Sequence, residues 1–228
     1  MKFPFAAAAA VLLAFPRTSR TQAPAPIPID SARRAFAEAH ALCTADAGRL
    51  WGVSLCGPIM FVDAPSRAIV ASEGDANGVL SASDGAFVGT LPADQNVANT
   101  AVEWSGVRWT QMLWPLVGDE RLRGTLMMHE LFHRAQNQLG LPAMKAGDNA
   151  HLDELNGRYY LQLEWRALAR ALEAHRDADR REAAMDALRF RAARYRIYPG
   201  AAAGERALEQ NEGLAEYTGV RLGNPAPE

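Results

Sequence analysis

Only two cysteines occur in the 228 residues, Cys43 and Cys56, enough for one disulfide and no more. An excess of one charge is missing as well, since 24 Lys and Arg stand against 26 Asp and Glu, leaving a net −2. That balance argues against a nucleic-acid or anionic-membrane partner, which usually calls for a basic surplus. No uninterrupted apolar run reaches the ~18–20 residues that span a bilayer, and no internal repeat is evident. What is present, 49% apolar and 22% charged residues, is ordinary for a globular protein. The length fits one domain with an extension.

The extension is the first thirty residues. Lys2 precedes Phe-Pro-Phe-Ala-Ala-Ala-Ala-Ala-Val-Leu-Leu-Ala-Phe, a short apolar run similar to a secretory signal peptide. We place that segment at 1–23, with small residues around Ala23 at its uncertain end. No cysteine lies near the end of the run, so a lipid anchor is not supported and no stable membrane anchor is expected after cleavage. Residues 24–29 are proline-rich and read as an extended linker. A single domain is expected over 30–228, its first helix capped by Asp30 or Ser31. An exported chain, periplasmic or extracellular, meets oxidising conditions, so Cys43 and Cys56 are expected to pair. Closing that loop stabilises by roughly 3 kcal/mol in the chain-entropy picture.

Between Trp51 and Leu116 the pattern is that of strands. Residues 57–63 and 68–71 are apolar runs around Ala64-Pro65-Ser66-Arg67, and Gly78 and Gly85 open two shorter ones. Residues 102–104 and 107–114 read as a hairpin about Ser105-Gly106, with Trp104, Trp109 and Trp114 as core or sheet-face residues. From Asp119 onward the periodicity is helical. Helices are expected from Asp119 to Gly140, over 152–174 and 179–198, and from Glu205 to Leu222. In the first of these Leu122, Leu126, Phe132, Ala135 and Leu139 would supply the buried side. Arg189, Arg191, Arg194 and Arg196 read as a solvated face or as ion pairs with nearby acids. A small mixed or antiparallel sheet (30–118) followed by a helical half (119–228) makes the fold α+β.

Chemistry enters at residues 129–133, His-Glu-Leu-Phe-His. On a helix His129 and His133 are four apart and project from one face, a spacing that lets two imidazoles bind one Zn²⁺. Glu130 lies about 100° round the helix, placed to take a proton from a water rather than to bind the metal. With five histidines in the chain, chance placement gives this pattern roughly once in 150 such sequences. A catalytic zinc usually has three protein ligands and an open position. Downstream candidates for the third are His151, Asp153, Glu154, Glu164, Glu209, Glu212 and Glu216.

Residues 211–217 read Asn-Glu-Gly-Leu-Ala-Glu-Tyr. Together with the His-Glu-Leu-Phe-His pentapeptide, this segment resembles the gluzincin metallopeptidases, in particular the aminopeptidase N-like branch. There a glutamate within Asn-Glu-Gly-Phe-Ala, on a later helix, completes the metal site. The resemblance implies His129, His133 and Glu212 as ligands of one Zn²⁺, Glu130 as catalytic base and Tyr217 as a donor to the developing oxyanion. It covers two short stretches, and its spacing departs from the family. Glu212 follows His133 by 79 positions, against roughly twenty in the family pattern, whereas Asp153 and Glu154 sit near the usual distance. An inserted helical pair over 152–198 accounts for the difference. Glu209 and Glu216 fall on the side of Glu212 at i, i+3 and i+7 spacing, either to orient the ligand histidines or as an exposed acidic face.

The expectation is therefore a secreted zinc peptidase acting on a peptide or protein substrate. The alternatives are a zinc hydrolase of another amide or ester, and a secreted zinc-containing binding protein without turnover. An exposed strand beside the site would hold extended substrate, and residues 107–114 are the candidate because they directly precede the motif helix.

Overall fold

The computed structural model describes residues 27–141, 147 and 149–224; the signal-like segment and the first half of the proline-rich linker, 24–26, lie outside them. The first element, α1 (Ile29–Asp46), buries Ala32, Ala35, Ala39 and Cys43, an i, i+3, i+7, i+11 stripe of small residues that lets it lie close on the sheet. It starts a residue or two before the expected caps. Extended Pro28 precedes it without a side-chain cap, and Asp30 sits in the first turn, where its charge suits the helix dipole. Cys43, in the last turn, is disulfide-bonded to Cys56 and so ties α1 to the chain leading into the first strand.

Six strands follow: β1 (Ile59–Asp63), β2 (Ala68–Ala71), β3 (Ser81–Ser83), β4 (Ala86–Thr90), β5 (Thr100–Trp104) and β6 (Val107–Trp114). They form one sheet in the order β3-β4-β2-β1-β6-β5. The β1–β6 pair is parallel and the other four pairs are antiparallel, so the sheet is mixed. All five residues of β1 are buried because both faces are covered. Ile59 and Phe61 face the helices, with Met112, Met127, Met128 and Leu131. Met60 and Val62 face a second cluster with Leu80, Leu91, Trp104 and Trp109. The Trp109 indole donates to the Trp104 carbonyl at 3.0 Å, which satisfies the polar end of a fully buried ring. β6 pairs with β1 on one side and β5 on the other, so 107–114 has no free edge to offer a peptide. The edge strand on that side is β5, and β3 is the other edge.

The remaining elements are helical, and the fold is α+β as expected. Asp119 caps α2 (Glu120–Ala135), accepting the Leu122 N–H at 2.9 Å. The expected stretch to Leu139 is completed by a tighter 3₁₀ turn (Gln136–Leu139), closed by Gly140 in the left-handed conformation. Phe132 and Ala135 are buried as anticipated, but Leu122 is 59% exposed, and Met127, Met128 and Leu131 carry the core instead. The reason is tertiary: α2 is sandwiched between the sheet and the last helix, α6 (Leu214–Leu222). A Cβ on Gly124 would lie 2.2 Å from the Gly223 carbonyl oxygen, and one on Gly219 2.6 Å from that of Thr125. Glycine at these crossing points lets the two backbones touch, and this close approach carries α6 and the segment before it onto the motif helix.

Between them runs a short 3₁₀ turn (Ala150–Asp153), the hairpin α3 (Leu155–Glu173) and α4 (Asp177–Ile197), then α5 (Ala201–Leu208). A wide π turn over Glu209–Gly213 joins α5 to α6, so the single helix expected over 205–222 is continuous but locally unwound. Among the described residues no helix is long and apolar enough to cross a membrane. The arginines of α4 divide. Arg189 pairs with Asp186 on the surface, whereas Arg194 is fully buried, its guanidinium bonded to Glu205 from Nε at 2.7 Å and 2.8 Å from Glu164 as a bent ion contact.

Candidate metal centre

His129 and His133 project from α2 with their Nε2 atoms 3.1 Å apart. Glu212 reaches them from the π turn, with Oε2 3.3 Å from His129 Nε2 and 3.5 Å from His133 Nε2. A π turn adds one residue to a helical turn and is frequent where a helix must aim a functional side chain. Among the described residues, His129, His133 and Glu212 form the one group of three that can hold a metal ion.

The other nitrogen of each ring has its own partner. His133 Nδ1 stands 3.1 Å from Gln136 Oε1, and His129 Nδ1 stands 3.3 Å from Glu216 Oε2. An amide oxygen and a carboxylate can only accept, so each Nδ1 is the donor, and in the neutral tautomer this selects each Nε2 presents a lone pair. In that tautomer three electron-rich atoms, two imidazole nitrogens and a carboxylate oxygen, converge and repel one another. A cation bound among them turns that repulsion into attraction, and the donor set suits one.

Two side chains that sequence reasoning missed complete the frame. The buried Gln136 donates through Nε2 to Asn211 Oδ1 at 3.2 Å, and Asn211 Nδ2 donates to Glu212 Oε1 at 2.8 Å. His133 and Glu212 are therefore linked through two amides as well as face to face. Gln136 was within reach of sequence reasoning, since it lies one helical turn beyond His133; its partnership with Asn211 was not. Arg108 of β6 closes one side. Its guanidinium donates to the Arg134 carbonyl at 2.9 Å and the His133 carbonyl at 3.4 Å, capping the end of α2, and it pairs with Glu103.

Glu130 is 4% exposed, and its Oε2 has no hydrogen-bond partner. Burial, and after it the negative charge of Glu212, push its carboxyl up to about 8. A cation in the site would oppose the shift. The carboxyl lines a cleft of about 180 Å³ together with His129, His133, Glu212, Thr100 and Ala101, so β5, an edge strand of the sheet, borders the candidate centre.

The other candidates lie elsewhere. His151 is buried against Glu205 at 2.7 Å, Glu164 is buried against Arg191 and Arg194, and Glu154 accepts from the Tyr198 hydroxyl at 3.0 Å. Asp153 is exposed at the end of its 3₁₀ turn. Glu209 turns away from the histidines to pair with Arg191, while Glu216 stands against His129. Tyr217 is about half exposed with its ring edge-on to Trp51 at 6.4 Å, and it does not line the cleft.

Comparison with protein-family models, curated proteins and solved structures returned no match. The functional reading therefore stands on the site's own geometry and on the resemblance of its two motif segments.

Proposed function

We propose that this protein is an exported zinc-dependent metallopeptidase with His129, His133 and Glu212 as ligands and Glu130 as general base. The observation that carries the reading is the convergence of three lone-pair donors beside a buried carboxylate oxygen that lacks any partner. The separations of 3.1, 3.3 and 3.5 Å are compatible with the about 3.3 Å between ligands of a tetrahedral ion bonded at about 2.0–2.1 Å. When bound, zinc supplies Lewis acidity toward a carbonyl and lowers the pKa of a water. Glu130 takes the proton of the attacking water at its unpartnered Oε2 and returns it to the leaving amine. Its low exposure keeps bulk water from competing for that oxygen. Gln136, Asn211 and Glu216 hold the ligands in their tautomers and orientations.

An extended peptide can add to the free edge of β5 by main-chain pairing, which would lay it across the cleft at Thr100 and Ala101. This strand takes the role first expected of 107–114. Export is supported by the signal-like segment and is compatible with the Cys43–Cys56 disulfide.

The zinc-loaded chain incubated with a mixed peptide library is expected to yield new peptide termini by mass spectrometry. Chelation should abolish them and added zinc restore them. Intact peptides with zinc bound would contradict the reading, and turnover of small amides or esters alone would point to a non-peptide hydrolase.

A further inference from the structure

Glu212 stands on a turn that the inserted hairpin braces from outside the cleft. Glu209 begins that turn and is fastened at two points. Its carbonyl accepts the Leu214 N–H, the i to i+5 bond that makes the turn wide. Its carboxylate receives the guanidinium of Arg191, with Nη1 at 3.3 Å and Nη2 at 2.5 Å. Arg191 belongs to α4 and also donates through Nε to Glu164 Oε1 at 2.7 Å. Glu164 is buried in α3 and held from its other side by Arg194. One arginine therefore joins the fixed interior of the hairpin to the first residue of the turn that presents the third ligand.

We propose that Arg191 is a positioning residue for the metal centre, acting through Glu209 on the place of Glu212; this rests on the zinc reading above. A π turn is less favourable than regular helix and persists where surrounding contacts over-determine it. Relaxation to i to i+4 bonding shifts the register by one residue, which swings a side chain by about 100°. Such a swing would carry Glu212 Oε2 out of reach of both histidines. Inside the cleft the turn is also tied by Asn211 to Gln136, so loss of the outer brace weakens the site without abolishing it. This role also gives the hairpin a purpose in the site, since it occupies the chain between the second and third ligands.

The test is zinc affinity of the full chain by competition with a chelator of known affinity. Arg191→Met and Glu209→Gln should each weaken binding by about 10–100-fold, the range for groups that orient ligands. The double variant should be no weaker than Arg191→Met alone, because that change already removes the contact with Glu209 on which Glu209→Gln acts. Arg191→Lys should recover part of the loss, and Arg189→Met, whose partner Asp186 lies on the hairpin surface, should bind as the parent does. The cobalt-loaded variants should show altered visible ligand-field bands, a signature that a merely structural role would not move. Glu209 is half exposed, so its variant keeps the test open should Arg191→Met fold poorly. Parental affinity in Glu209→Gln, or losses that add in the double variant, would overturn the inference and leave the zinc reading standing. A parent chain that takes up no zinc would overturn both.

Discussion

Glu130→Gln is expected to bind zinc like the parent and to lose peptide hydrolysis by about 10²–10⁴-fold, the contribution of a positioned general base. The amide keeps the shape of a side chain that is almost wholly buried, so packing around Leu131 and Met128 should not change. What it removes is the oxygen that accepts a proton, and Glu130 Oε2 is the cleft-lining carboxylate oxygen with no other bond to make. Neutral glutamine also avoids the cost of burying a carboxylate near Glu212. Thermal stability should therefore hold or rise slightly while turnover collapses. Single-turnover kinetics with a cleavable peptide, set beside a zinc titration, separates binding from chemistry. Hydrolysis within a few-fold of the parent would remove Glu130 from the mechanism.

The second large effect concerns stability. Arg194→Met should destabilise the chain by about 3–5 kcal/mol, the cost of leaving buried charges without their partner. Arg194 is fully buried, bonded to Glu205 and in ion contact with Glu164, and Glu205 also accepts from Tyr195 at 2.9 Å. Burial works against the charge of Glu205, but its bonds to Arg194, His151 and Tyr195 outweigh it, and the carboxyl is held below its ordinary value. A carboxyl whose pKa is lower in the folded state than in the unfolded one binds fewer protons when folded. Its stabilisation is complete above the unfolded value, about 4.3, and is lost as pH falls through the folded one. Denaturant unfolding of the parent should therefore weaken on the acid side. In Arg194→Met the neutral-pH stability should drop and this part of the acid slope should shrink. A loss under 1 kcal/mol at neutral pH would mean the network is dispensable.

These two residues differ in how far the sequence betrayed them. Glu130 sits in a pentapeptide whose spacing points to the chemistry proposed for it, on a helix with a readable cap at Asp119 and a readable stop at Gly140. The strands, including the hairpin about Ser105-Gly106, were legible from apolar runs and turn residues. Arg194 was not, since one arginine among four on a helix looks the same whether water or Glu164 and Glu205 surround it. Helical period likewise suggested Leu122 as core, when the glycine contact between α2 and α6 sets which face is covered. Glu212 could be singled out only through a resemblance, because it lies 79 positions beyond His133 with a whole helical hairpin between them. The π turn that aims it leaves no pattern in the sequence, since the turn depends on Arg191 and Gln136, which come from other elements.

Zinc competition against a chelator of known affinity, run on the parent, Glu212→Ala and Glu154→Ala, tests the central claim most directly. The parent should bind one zinc tightly. Glu212→Ala removes a charged oxygen ligand that water replaces poorly, and its affinity should fall beyond the 10–100-fold typical of a supporting residue. Glu154, which accepts from the Tyr198 hydroxyl away from the histidines, should be silent when replaced. Abolished binding in Glu154→Ala with retained binding in Glu212→Ala would contradict the site described here.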